Sequence, residues 1–126
     1  MKLPFANATF DVVTMGYGLR NVAHINGSLA EIRRVLVPGG RLLVLDFGKP
    51  DNPVIRGLYL SYLRMFPPVL GKLLCGDSET HAYIYASLVA YPGQRGVEAR
   101  MMAAGWKNVR VHNVLGGIMG INYGEA

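Results

Sequence analysis

The sequence is poor in cysteine, in histidine and in charge. Its single cysteine, Cys75, excludes an internal disulfide framework, and with only His24, His81 and His112 widely spaced no metal site is expected. A reducing, intracellular setting is the default for such a chain. Only 17% of the 126 residues are charged, yet no stretch approaches 18 apolar residues without a Gly, Pro or charged interruption, so no membrane span is expected. Met1-Lys2-Leu3-Pro4 is not followed by a signal-peptide core. The basic residues are scattered and no aromatic-plus-Gly-Lys string is present, which leaves nucleic acid the weakest candidate partner and none is expected.

What is there fits one globular domain: 51% apolar residues and sixteen glycines. Thirteen Lys and Arg against eight Asp and Glu give a net charge of +5, which favours an anionic contact such as a phosphate or an acidic membrane surface. A mean hydropathy of +0.23 leans toward a basic peripheral membrane enzyme.

Phe10 to Met15 is a β-branched run closed by Gly16-Tyr17-Gly18, which predicts a buried strand ending in a glycine turn. Ser28-Leu29-Ala30-Glu31 is a capping-box pattern followed by Ile32, Val35 and Leu36 at helical spacing, a helix that must stop by Pro38-Gly39-Gly40. Arg41 to Phe47 is continuously apolar up to Asp46, as expected for a strand covered by helices on both faces. Strand, helix and strand make one parallel crossover unit. Residues 50–92 read as a helical, aromatic insertion: a helix from Asn52-Pro53 that ends at Pro67-Pro68, an apolar piece from Val69 to Cys75, and a helix from Glu79 to Ala90. Gln94 to Ala104 predicts another helix with Val97, Met101 and Met102 inward. Trp106–Asn113 and Ile118–Tyr123, separated by Leu115-Gly116-Gly117, predict a terminal antiparallel hairpin. The fold class is therefore α/β, the second half of a doubly wound sheet without its first strand and glycine-rich turn.

Three strings carry a resemblance: Phe10-Asp11-Val12-Val13-Thr14-Met15-Gly16-Tyr17-Gly18-Leu19-Arg20-Asn21-Val22, then Arg34-Val35-Leu36-Val37-Pro38-Gly39-Gly40, then Leu45-Asp46-Phe47-Gly48-Lys49-Pro50. Together they resemble the ubiquinone/menaquinone biosynthesis C-methyltransferase family, which has a class I, Rossmann-like methyltransferase fold. The similarity continues through Leu70-Gly71-Lys72-Leu73, Tyr83 to Ser87, Ala104-Gly105-Trp106 and Leu115-Gly116-Gly117-Ile118. The Arg34–Gly40 string is shared with most class I methyltransferases, whereas Gly-Leu-Arg-Asn and the later Lys-Pro and Gly-Gly-Ile strings point to the quinone branch. On this alignment residues 1–126 form a partial methyltransferase domain, the C-terminal half of the family's chain.

The resemblance implies S-adenosylmethionine as cofactor and a prenylated quinol as substrate, demethylmenaquinol before a ubiquinone precursor. It implies that Arg20 and Asn21 face the quinol as the catalytic pair, with Arg20 stabilising the developing quinolate oxygen. Met15, Gly16 and Tyr17 then line the cofactor, with Gly16 where many family members carry Ser, and Tyr59, Tyr62 and Tyr83 belong to the substrate cover. A cytoplasmic location with peripheral contact at the inner face of the membrane follows from the substrate's lipid tail. Structural readings stand beside these. Arg20 can pair with Asp11 or Asp46, Asn21 can serve as a turn residue, Asp46 as a cap, and the tyrosines as core. The chain is also readable as a non-catalytic fragment or half-domain that needs a partner chain or a missing N-terminal half, or that pairs with a second copy of itself.

Overall fold

The computed structural model describes residues 1–76 and 79–126. β1 (Phe10–Gly16) and β2 (Leu36–Phe47) lie parallel, with Val13 opposite Leu42 and Met15 opposite Val44, and α1 (Ile25–Val35) crosses between them. After the helical segment α2 (Pro53–Cys75), α3 (Glu79–Ala90) and α4 (Gly93–Ala103), the chain returns as β3 (Lys107–Val114) and β4 (Met119–Glu125). β4 runs antiparallel to both β2 and β3, so the sheet order is β1-β2-β4-β3. The expected crossover unit, helical insertion and terminal hairpin are all present.

The core lies on one face of the sheet. Leu29, Ile32 and Val35 of α1 recur at helical spacing and are buried, as are Leu42 and Val44 of β2 and Val97 and Met101 of α4. The sheet admits α4 because glycine removes side chains from β4. A Cβ on Gly120 would lie 2.8 Å from the Gln94 Cβ, and one on Gly124 would run into Met101. The alternate face is open. Val12 is 51% exposed, Thr14 and Gly16 are exposed, and Leu43 and Leu45 are only half-buried. The expectation that β2 is covered on both faces is therefore not met among the described residues, since α1 and α4 share a face.

Four further expectations are corrected. α1 starts at Ile25 rather than after Ser28, whose amide is already bonded to the His24 carbonyl; Glu31 turns to Arg34 and to the amide of Leu3 instead of closing a capping box. The helix stops at Val35, and β2 begins at Leu36 and carries Val37–Gly40 within an irregular register against β1. α2 does not end at Pro67-Pro68 but runs on to Cys75. The prolines remove two interior amides, a cost of about 3 kcal/mol each in an ordinary helix. They are half-buried and Gly71 is buried, so packing of the second half offsets the local penalty. Met102, expected inward, is exposed, and Met101 alone fills that place.

Candidate active site

β1 ends at Gly16, and the Tyr17 amide still donates to the Leu45 carbonyl at 2.7 Å, so the chain leaves the sheet at the carboxyl end of β1. Tyr17 takes φ +53°, a left-handed conformation that costs a non-glycine residue about 1–2 kcal/mol. The following 3₁₀ turn, Leu19–Asn21, is anchored by Leu19, which is fully buried. This turn delivers Arg20 and Asn21 to the end of the sheet where open parallel sheets bind ligands.

Arg20 is gripped there by the end of β2. Asp46 Oδ2 accepts the Arg20 backbone N–H at 3.1 Å, and Oδ1 accepts the guanidinium Nη1 at 2.9 Å and the Phe47 amide at 2.8 Å. The two side chains are only 10% and 3% exposed. The guanidinium carbon also sits 4.8 Å from the centroid of the Phe47 ring. Nε is buried without a hydrogen-bond partner. Of the two partners the sequence offered for Arg20, the structure selects Asp46. The cation is held as a planar donor in a fixed orientation rather than as a swinging surface charge.

Around this pair the structure gathers most of the other expected residues. Asn21 Nδ2 donates to the Tyr17 carbonyl at 3.3 Å, and the Tyr83 hydroxyl donates to Asn21 Oδ1 at 2.9 Å. Tyr17 stacks at a tilt on Phe47, 5.2 Å between centroids, and its hydroxyl meets the Met119 sulfur at 3.3 Å. Tyr59 is half-buried against the core, and its burial raises the hydroxyl pKa while nearby Arg20 lowers it. Tyr62 is not brought into this group; it is exposed on the outer side of α2 and stacked on Phe66 at 5.2 Å.

Two contributors were not singled out in the sequence. Tyr91 is 3% exposed; burial first and the Asp46 carboxylate second raise its hydroxyl well above the usual tyrosine range, against the opposing effect of Arg20. Phe47 supplies the ring on which both Arg20 and Tyr17 rest. Neither has a sequence signal of its own, since an aromatic at a strand end or before Pro-Gly reads as core. A cleft of about 380 Å³ adjoins the pair, lined by Arg20, His24, Asn26, Tyr91 and Arg100 among others, with no acidic residue in its lining.

Met15, Gly16 and Tyr17 form a strip at the carboxyl end of β1 in which Gly16 and Tyr17 are exposed and Met15 is half-buried against the core. A second cleft of about 300 Å³ lies there between Thr14, Met15, Gly16, Leu43, Leu45 and Ile121. A Cβ placed on Gly16 would meet nothing within 4 Å. The lining of this cleft is mainly apolar. Asp46, the carboxylate at the same end of the sheet, is committed to Arg20 and does not supply a ribose ligand. Among the described residues no cluster of His, Cys, Asp and Glu is placed to hold a metal.

The fold has known counterparts. Solved SAM-dependent methyltransferases from Aquifex aeolicus and Thermotoga maritima superpose on 98% of the chain with TM-scores of 0.60 and 0.66, at 18% and 16% identity, and the chain covers 50% and 59% of them. They show the fold. The ubiquinone/menaquinone biosynthesis C-methyltransferases UbiE of Ectopseudomonas mendocina and Stutzerimonas stutzeri are each 45% identical over 123 residues, 98% of this chain. The chain spans about half the length of these curated relatives, 48% in both cases. The ubiE/COQ5 methyltransferase profile matches residues 1–125, and the chain belongs to that family.

Proposed function

We propose that this chain carries the quinol-facing half of an S-adenosylmethionine-dependent C-methyltransferase acting on a prenylated quinol, with demethylmenaquinol as the first substrate to test. The observation that carries this reading is the Arg20 guanidinium, fixed by Asp46 and Phe47 beside Asn21 and Tyr83 at the carboxyl end of the sheet. S-adenosylmethionine, when bound, supplies an electrophilic methyl group on a sulfonium. The residues of this chain act on the other reactant.

Arg20 stays protonated and donates to a quinol oxygen as negative charge develops on it, a preorganised stabilisation of the kind worth about 10²–10³ in rate. Asn21 has already used one Nδ2 hydrogen and one Oδ1 lone pair on Tyr17 and Tyr83, which leaves it one N–H with which to orient the same oxygen. The ring carbon would gain the methyl group that bound S-adenosylmethionine supplies and would lose its proton to water, while Arg20 and Asn21 hold the quinol oxygen. Tyr91, whose hydroxyl pKa is raised by burial, is not poised to take that proton at neutral pH. The Met15–Tyr17 strip forms one wall for the adenosyl group, and Tyr59 and Tyr83 face the substrate side. The substrate's prenyl tail stays in the bilayer, so the protein works at the inner membrane surface from the cytoplasmic side.

A second reading, a half-domain that is inactive without a partner chain, is favoured by the open sheet face around Val12, Leu43 and Leu45. One experiment separates the two. Transfer of radiolabelled methyl to demethylmenaquinol is measured with the 126-residue chain alone and with the chain mixed with the segment of the Ectopseudomonas relative that it does not cover. Activity of the chain alone supports the first reading, and activity only in the mixture supports the second with the same chemistry. No transfer in either, with cofactor bound in the mixture, contradicts the proposed substrate.

A further inference from the structure

The outer side of α2 is apolar along its whole length and remains exposed among the described residues. Val54, Leu58, Tyr62, Met65, Val69 and Leu73 follow one another in steps of three and four residues and are between 54% and 76% exposed. At about 100° per residue they fall within an arc of about 100°, a single continuous stripe. The opposite side is already spent, since Tyr59, Leu60 and Leu63 pack against the core. A helix apolar on both sides is normally buried on both sides. Exposed apolar patches on monomers rarely exceed about 300–600 Å², and those that reach that size mark contact surfaces.

The charges select the occupant. None of the 23 residues of α2 is acidic, and its three ionic residues, Arg56, Arg64 and Lys72, are all exposed cations. By the helical geometry Lys72 sits at one edge of the stripe, Arg64 about 80° beyond that edge and Arg56 about 100° beyond the other, positions from which a long exposed side chain can lift its charge to a polar boundary. A second copy of this helix would add only further cations and no acidic partner, whereas an anionic lipid surface neutralises them. No described helix is long and apolar enough to cross a membrane, so the arrangement is one for lying in the interface. We infer that α2 is a membrane-docking helix that rests its Val54–Leu73 stripe in the headgroup region of an anionic bilayer. This names the surface for the membrane contact proposed above, and its test reads lipid binding without any reaction, so the two readings fail separately.

The test is co-sedimentation of the 126-residue chain with vesicles of phosphatidylcholine and phosphatidylglycerol, and with vesicles of phosphatidylcholine alone. Four forms are compared: wild type, Leu58→Ser/Met65→Ser, Arg64→Glu/Lys72→Glu, and Val12→Ser on the open sheet face. All the substituted side chains are exposed, and circular dichroism checks that each variant is folded. The expected result is binding that prefers the anionic vesicles, weakened at least tenfold by the α2 double serine, stripped of its lipid preference by the charge reversal and unchanged by Val12→Ser. Absence of binding by the wild type overturns the inference. So does binding that Val12→Ser weakens as much as the α2 pair does, or an α2 double serine that abolishes self-association in sedimentation equilibrium while leaving lipid binding intact.

Discussion

Arg20 and Asp46, 26 residues apart in sequence, form an ion pair with Nη1 2.9 Å from Oδ1, and neither side chain is more than 10% exposed. The pair joins the turn after β1 to the end of β2, so the group proposed to act on substrate is oriented by the strand that builds the sheet. Removing one partner of a buried pair strands the other charge. Asp46→Ala is expected to cost about 3–5 kcal/mol in urea unfolding. Asp46→Asn, which keeps one acceptor for Arg20, is expected to cost less. Equal stability of Asp46→Ala and wild type would mean the pair is solvated.

Gln94 predicts a second large loss. It is 2% exposed, its Oε1 accepts the Lys49 amide at 2.7 Å, and its Nε2 donates to the Lys49 carbonyl at 2.9 Å and to Asn113 Oδ1 at 3.0 Å. Its own carbonyl accepts from Asn122 at 2.9 Å. Gln94→Leu keeps the volume but leaves the buried groups of Lys49 unpaired, at a cost of about 1–3 kcal/mol for each group. The expected outcome in denaturant unfolding is a loss of about 2–4 kcal/mol, against less than about 0.5 kcal/mol for an exposed control such as Met102→Ala.

The parallel strand–helix–strand unit and the terminal hairpin were legible because their signals are local: an apolar run, a 3.6-residue period, a Gly-Gly turn. The family strings singled out Arg20, Asn21 and Met15–Tyr17, and the fold places them together at the carboxyl end of β1. The errors lie where tertiary contacts override local preference. Gly39 and Gly40 read as a stop, yet the Gly39 amide bonds to the Ala126 carbonyl and the Gly40 carbonyl accepts from the Ala126 amide, so the C-terminus draws them into β2. Pro67-Pro68 read as a break, yet Leu63 before them and Gly71 after them are packed on one side. Gln94 gave no sign of its role, because a buried polar hub has no periodicity. Tyr62 and Tyr59 share a stripe in sequence, and only the fold shows that one turns inward and the other outward.

A Cβ on Gly16 meets nothing within 4 Å. Gly16→Ser is expected to fold normally and to change stability by no more than about 1 kcal/mol, in the stabilising direction if the unfolded chain loses freedom. Calorimetric titration of the mixture with S-adenosylmethionine should show affinity equal to or tighter than wild type. A weaker affinity would place Gly16 away from the cofactor.

Glu31 sets an acid limit on the N-terminal segment. The hydrogen bond from Arg34, and then the amide of Leu3, pull its carboxyl from an ordinary 4.5 down to about 2. A folded-state pKa below the unfolded one gives stability that is present above about 4.5 and is lost as pH falls toward about 2. Melting temperatures of wild type and Glu31→Gln should therefore differ at pH 6 and converge toward pH 2.5. Curves that stay parallel through this window would contradict the assignment.

The most direct test of the central claim is the effect of Arg20 substitutions on methyl transfer in the mixture that restores activity, or in the chain alone if it is active. Arg20→Lys keeps a cation beside Asp46 without the planar fork, and Arg20→Ala removes it. The account predicts that kcat falls by about 10²–10³ for Arg20→Ala and by less for Arg20→Lys, while the Kd for S-adenosylmethionine stays within about twofold in folded protein. An unchanged kcat in folded Arg20→Ala would contradict it and leave the Arg20–Asp46 pair as a brace of the sheet alone.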